Sequence, residues 1–457
     1  MRRLLSAGIA GTLAVGLLLG AAVVLGPHGP AGTNWRGARG SATVLAHSNG
    51  TTDTTDTAAA LSGANLPAAI EALQRHLRAQ PRDAAGWATL GLEYVERARL
   101  TADPTYYTKS AEVLNRSLQV SPSDNDAALA GLGALAAARH DFSTALGFAD
   151  RALAVNPYSM RAHATRIDAL VELGRYPEAM AAARRADETR PGIPISTRLA
   201  YVLELRGQTA RAKQVLERTL ADASDPSDLA YVATQLGELA WNRGDDREAS
   251  ARFATALRAD PSYLPALDGR ARVRAALGDL TGAITDHERV ASVLPLPGYL
   301  TELGDLYQAE GKPGKALGQY RVVDAWVRIA KANGVATDLE TALFEADHGN
   351  RVAALRAARA ERARRASVHV DDALAWALHV NGRDREALGY ARQAARSGYR
   401  NALFLYHRGM IERSLDLRDA AGISLSSALH LNPRFSPLLA PRARAALSAL
   451  TDTGGRR

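Results

Sequence analysis

Acidic and aromatic side chains recur at a near-constant interval through the middle of this 457-residue chain. Glu204, Glu238, Asp268 and Asp305 follow one another at steps of 34, 30 and 37 residues, with Asp168 before them. Tyr201, Tyr231 and Trp241 stand three or seven residues from these acids, spacings that share one face of a helix. Carboxylates pair with Lys or Arg, and aromatic faces attract the same cations. One reading is therefore recognition of an extended segment bearing basic side chains, with Arg272 and Arg161 as the opposing charges. The other is a solubilising surface without a ligand. A second group of large side chains, Trp376, His379, Tyr406 and Met410, lies nearer the C-terminus.

Catalytic and metal-binding arrangements are not evident. There is no serine nucleophile elbow, no helix with two zinc-spaced histidines and no phosphate-binding loop. Gly311-Lys312-Pro313-Gly314-Lys315 has the composition of such a loop but the wrong spacing, and reads as a turn. His369, Asp372 and His379 share a helical stripe, yet the two histidines are ten residues, about 15 Å, apart. With no cysteine, disulfides, zinc–thiolate sites and thiol catalysis are excluded together. No metal and no cofactor are expected, and the chain reads as non-catalytic.

The elements that would position these side chains follow from a unit of about 34 residues. Its cleanest copy spans Tyr231 to Pro261: Leu236, Gly237 and Ala240 mark one helix, Gly244 breaks it, Ala249, Phe253 and Ala256 mark a second, and Pro261 follows. Leu300, Leu303, Gly304, Tyr307, Gly311, Ala316 and Tyr320 repeat the pattern, as do Leu405, Gly409, Ala421, Leu425, Ala428 and Pro433. Pro157, Pro191, Pro261 and Pro295 keep the same phase. Small residues let two helices approach closely, and glycine suits the reversal between them. A pair of this kind cannot bury its apolar faces alone and must stack.

The pattern resembles the tetratricopeptide repeat family over most of the chain. Trp87, Leu90, Gly91 and Tyr94 match the family's opening motif, followed late by Ser110, Leu114, Ser117 and Pro122, so that Arg97–Thr108 is about seven residues too long. His163 to Pro191 lacks the aromatic positions, and around 338–361 only Gly349, Ala354 and Ala358 remain. The resemblance implies an all-α, right-handed superhelical solenoid of antiparallel helix pairs, with nine to ten repeats over 64–442, capping helices, and a helix end and tail at 443–457. It further implies a protein or peptide partner in the concave groove. The family's carboxylate-clamping subset is not expected, because Ala88, Leu92 and Ala130 occupy the corresponding stripes. On these stripes Tyr201, Glu204, Tyr231, Glu238, Trp241, Asp268, Arg272, Asp305, Trp376, His379, Tyr406 and Met410 are the partner-binding candidates.

The N-terminus has a different character. Arg2 and Arg3 precede an apolar run from Leu4 to Leu25, which reads either as a retained membrane anchor or as a cleaved secretory signal. Both place the repeats outside the cytoplasm, on the cell membrane or secreted. Residues 26–63, rich in Gly, Ser and Thr, read as a linker without a core. The formal net charge of +8 comes mainly from arginine, a balance that fits a GC-rich bacterial genome. Arg351, Arg356, Arg359, Arg362, Arg364 and Arg365 form the densest cluster, either a solvated helix surface or a contact for anionic lipid or cell-wall polymer. Nucleic acid is not expected. The function that follows is a non-catalytic, envelope-associated scaffold. The alternative is an accessory subunit, or a divergent enzyme, acting on a cell-surface polymer.

Overall fold

In a computed structural model the described residues, 66–452, form 22 α-helices and no strand. Helix α1 (Leu66–Ala79) precedes ten pairs: α2/α3 (Ala84–Thr101, Thr105–Val120), α4/α5 (Asp126–Ala138, Phe142–Val155), α6/α7 (Met160–Glu172, Tyr176–Thr189), α8/α9 (Ile193–Leu205, Thr209–Asp222) and α10/α11 (Pro226–Asn242, Asp246–Ala259). Then come α12/α13 (Leu264–Ala276, Leu280–Val293), α14/α15 (Pro297–Ala309, Pro313–Ala332), α16/α17 (Asp338–His348, Arg351–Arg364), α18/α19 (Val368–Val380, Asp384–Ala394) and α20/α21 (Ala402–Ser414, Arg418–Leu431). Helix α22 (Leu439–Asp452) closes the series. It runs through the boundary drawn at residue 442, and the 1–25 segment and the 26–63 linker lie outside the described residues.

Local chemistry sets the pair. Pro157, Pro191, Pro261 and Pro295 each sit two residues beyond a second helix, where a missing N–H ends the hydrogen-bonding pattern. At the internal turns Asp141, Asp245 and Asp279 cap the following helices by accepting from backbone N–H groups. Large side chains of the second helices fill glycine holes on two first helices at once. Phe253 lies so close to Gly237 and Gly269 that a Cβ on either would come within 2.6 or 2.2 Å of its ring. Leu114 does the same between Gly91 and Gly131. The extra residues after Arg97 lengthen α2 to 18 residues, and Gly311–Lys315 is the turn into α15.

A further set of contacts is not local. The internal turns of four successive early repeats meet loops 188 to 196 residues later. At the first, the Ala336 N–H donates to the Arg139 carbonyl at 3.0 Å, and His140 Nδ1 lies 2.8 Å from the Ala336 carbonyl. At the second, the Val368 N–H donates to Tyr176 Oη at 2.8 Å and Arg365 pairs with Glu172. At the third, Gly207 packs on the Gly398 carbonyl. At the fourth, Asn432 Nδ2 donates to the Trp241 carbonyl at 2.9 Å and Arg434 Nε to Asp246 at 2.8 Å. One superhelical turn therefore takes between five and six repeats, and the second turn rests directly on the first along a seam.

The seam takes up one member of the arginine cluster, and neighbouring helices pair with three more. Arg365 is buried between Glu172 and Glu361, Arg364 pairs with Asp338, Arg362 with Asp371 and Arg359 with Glu386. Arg359 and Arg364 remain exposed, as expected of a solvated helix surface, whereas Arg365 departs from that expectation by joining two turns.

Candidate functional site on the inner wall

The first helices of the pairs form the inner wall of the coil, and they pack against one another as well as against their partners. This second packing was not contained in a stripe drawn on an isolated pair. It covers most of the side chains expected to face an open groove. Asp268 and Asp305 are fully buried, and Glu204, Tyr231, Glu238, Trp241, Trp376 and Tyr406 are buried too. Tyr201, Arg272, His379 and Met410 remain partly accessible.

Buried polar groups need partners, and here the partner usually comes from the next repeat. Arg198 on α8 grips Asp168 on α6 with Nε and Nη2, at 2.8–2.9 Å. Asn242 on α10 donates to Glu204 on α8 at 2.9 Å. Arg272 on α12 pairs with Glu238 on α10. Trp376 Nε1 on α18 donates to Asp347 on α16 at 2.8 Å, and His407 Nδ1 on α20 lies 2.9 Å from Asp372 on α18. The cation that Trp241 was expected to take from a ligand is the chain's own Arg272, 5.6 Å above its ring. Tyr320 donates to Asp305 at 2.8 Å, Tyr231 Oη lies 3.4 Å from Thr197 Oγ1, and Trp376 stacks on His407. His369 packs against Tyr399 and Phe404 while His379 pairs with Asp384, so the expected stripe is split among separate partners.

Burial shapes the titration of this wall. It pushes Asp168 and Glu204 up to about 7, against the opposing pull of Arg198 and of Asn242 respectively. It raises Asp347 to about 6, and holds Glu238, Asp268, Glu302 and Asp305 above the ordinary carboxylate range. Burial, with Arg272 nearby, takes His287 down to about 3 and leaves a neutral imidazole. Arg272 goes the other way: burial opposes its charge, but Glu238, Asp268 and Glu302 outweigh that.

The accessible inner charge sits lower in the coil. Glu93, Glu96 and Arg99 on α2 and Arg161 on α6 are all partly exposed, and Arg99 Nε donates to Glu96 at 2.9 Å. Arg99 lies within electrostatic reach of Tyr231, Tyr263 and Tyr299, all at least 132 residues away in sequence. Glu93, Glu96 and Arg99 were missed because the stripe on α2 was read one position early, through Leu92 and Val95 instead of Glu93 and Glu96; Arg161 was expected. The acid–acid–base spacing of three was the available signal.

No family model matches the chain, and no curated protein matches it in sequence. Its backbone is similar to solved helical-repeat structures. Human IFIT1, as a dimer with m7Gppp-AAAA, is 16% identical over 80% of this chain and 86% of that one, with a TM-score of 0.46. The APC/C hetero-tetramer Cut9–Hcn1 is 12% identical over 86% and 94%, with a TM-score of 0.39. YrrB, described as a TPR protein with an unusual peptide-binding site, is 18% identical over 40% and 92%, with a TM-score of 0.27. Identities of this size bear on the fold alone.

Proposed function

We propose that this protein is a non-catalytic scaffold that receives an extended segment of a partner protein inside its coil. The observation that carries this reading is the set of partly exposed charged and aromatic groups on or at the start of the inner helices, Glu93, Arg99, Arg161, Tyr201 and Tyr263, within a wall whose acids Asp168 and Glu204 are already bonded from inside. Aromatic rings and arginines of this kind are the usual anchors of a protein contact. A preference for basic segments now rests on Glu93, since Glu96 pairs with Arg99 and the mid-array acids are used within the wall. The seam closes the side of the coil over four repeats, so an extended chain enters along the axis.

The apolar Leu4–Leu25 run supports export and attachment at the cell envelope; among the described residues no helix is long and apolar enough to cross a membrane. Two experiments test the reading. A photo-crosslinking residue at Tyr201 or Arg161 should capture a partner that the same residue at Val352, 70% exposed on a second helix, does not. Equal capture at both positions, or none inside, rejects the inner site. A C-terminal reporter active only outside the cytoplasm should work on the full chain and fail without residues 1–26.

A further inference from the structure

The middle of the inner wall holds more ligand atoms than its own donors satisfy. Asp268 on α12, His287 on α13 and Glu302 on α14 are 0, 1 and 3% exposed. One oxygen from each acid and one imidazole nitrogen all lie within 4.8 Å of one another. His287 stands between the acids, with Nδ1 3.5 Å from Asp268 Oδ1 and Nε2 3.5 Å from Glu302 Oε2. Neither approach makes a hydrogen bond. Asp268 Oδ1, His287 Nδ1 and both oxygens of Glu302 are buried without a hydrogen-bond partner. A buried polar group left in this way costs about 1–3 kcal/mol, and a charged one more.

Charge points the same way. Arg272 donates to Glu238 and, at 3.1 Å, to the other oxygen of Asp268, and its Nε lies 4.0 Å from Glu302. Three carboxyl groups thus share a single guanidinium in a site closed to water. Protons on the acids or a divalent cation between them can complete the set.

We propose that Asp268, His287 and Glu302 bind one divalent transition-metal ion, zinc in the first instance. One imidazole nitrogen and two carboxylate oxygens suit zinc and also manganese or ferrous iron, and the absence of thiolate disfavours softer ions. Ligand atoms about 2.0–2.2 Å from one tetrahedral ion lie about 3.4 Å apart, so the three atoms, now within 4.8 Å of one another, draw together by up to about 1.4 Å as the ion binds. Arg272 already fixes the free oxygen of Asp268, the kind of support that orients a ligand. The three ligands come from three consecutive helices in two repeats, so the ion acts as a clamp between α12/α13 and α14. The sequence carried one signal for it: Glu302 follows Asp268 by 34 residues, one repeat.

The test uses the full chain, stripped with a chelator and titrated with Zn²⁺ and Mn²⁺ by calorimetry, with thermal melts alongside. One ion per chain is expected, together with a rise in Tm that grows with metal concentration. Glu302→Gln and His287→Gln should each weaken binding by at least about 100-fold, beyond the loss seen for supporting residues. His76→Gln, at an outlying His–Asp pair, should bind as the parent does. A folded, stripped parent that takes up no ion overturns the proposal, and protons then balance the acids. So does uptake that survives both substitutions. Parent uptake and melting decide the matter even if a variant fails to fold.

Discussion

Gly174 faces the carbonyl oxygen of Ala366, one turn of the coil further on, so closely that a Cβ there would lie 2.3 Å from the oxygen. Gly207 and Gly244 stand in the same relation to Gly398 and Leu431. All three have φ near +70°, as do Gly311 and Gly382, which have open space around them. Alanine in the left-handed region costs about 1–2 kcal/mol wherever it occurs. Gly311→Ala and Gly382→Ala should lose only that. Gly174→Ala should lose at least about 2 kcal/mol more, because backbone must move apart. Denaturant unfolding of the set checks this; equal losses would mean that the two turns are not in contact in solution.

Arg198 is the buried partner of Asp168. Arg198→Met leaves a carboxylate without its counter-charge inside the wall, a change that commonly costs about 3–5 kcal/mol. Asp168→Asn together with Arg198→Met should recover much of the loss. A double-mutant cycle measures the coupling, and additive losses would refute it.

Trp241 is packed beside Phe253 and beneath Arg272. Trp241→Ala is therefore expected to lower stability by about 3 kcal/mol or more, as for other buried aromatic truncations. On the open partner-binding stripe where the sequence reading placed this ring, the same truncation would leave the melt unchanged. Thermal melts distinguish the two.

Glu204, near Glu238 and Tyr399, titrates near 7 in the folded chain and near 4.5 when unfolded. Between those values the folded state holds a proton that the unfolded state has lost. Stability should therefore fall as pH rises from about 4.5 to 7 and stay level above, by up to about 3 kcal/mol from this group. Glu204→Gln keeps the acceptor for Asn242 and removes the charge. It should flatten that part of the profile and raise Tm at pH 8, and a profile unchanged by the substitution would contradict the assignment.

The helix pairs were legible in the sequence because their determinants are local. Proline two residues past a helix, and Phe253 against Gly237, lie within one repeat or its neighbour. The seam was not legible. Gly174 and Gly311 look alike in sequence, and only a contact with Ala366, 192 residues after Gly174, separates them. The inner wall was half legible: Glu204, Glu238 and Asp268 were placed on the correct helices. Their burial depends on how tightly consecutive first helices close up, which no single repeat encodes.

Most repeat arrays fold and melt through neighbours alone, so any stretch can form first. The seam gives this chain a non-local term. Its rungs raise the mean sequence separation of native contacts, and topologies of that kind fold slowly. The early repeats must wait for the late ones to be made before their rim is covered. Docking of the C-terminal turn is thus the closing event of folding, and a pull on the two ends of the chain would undo it first.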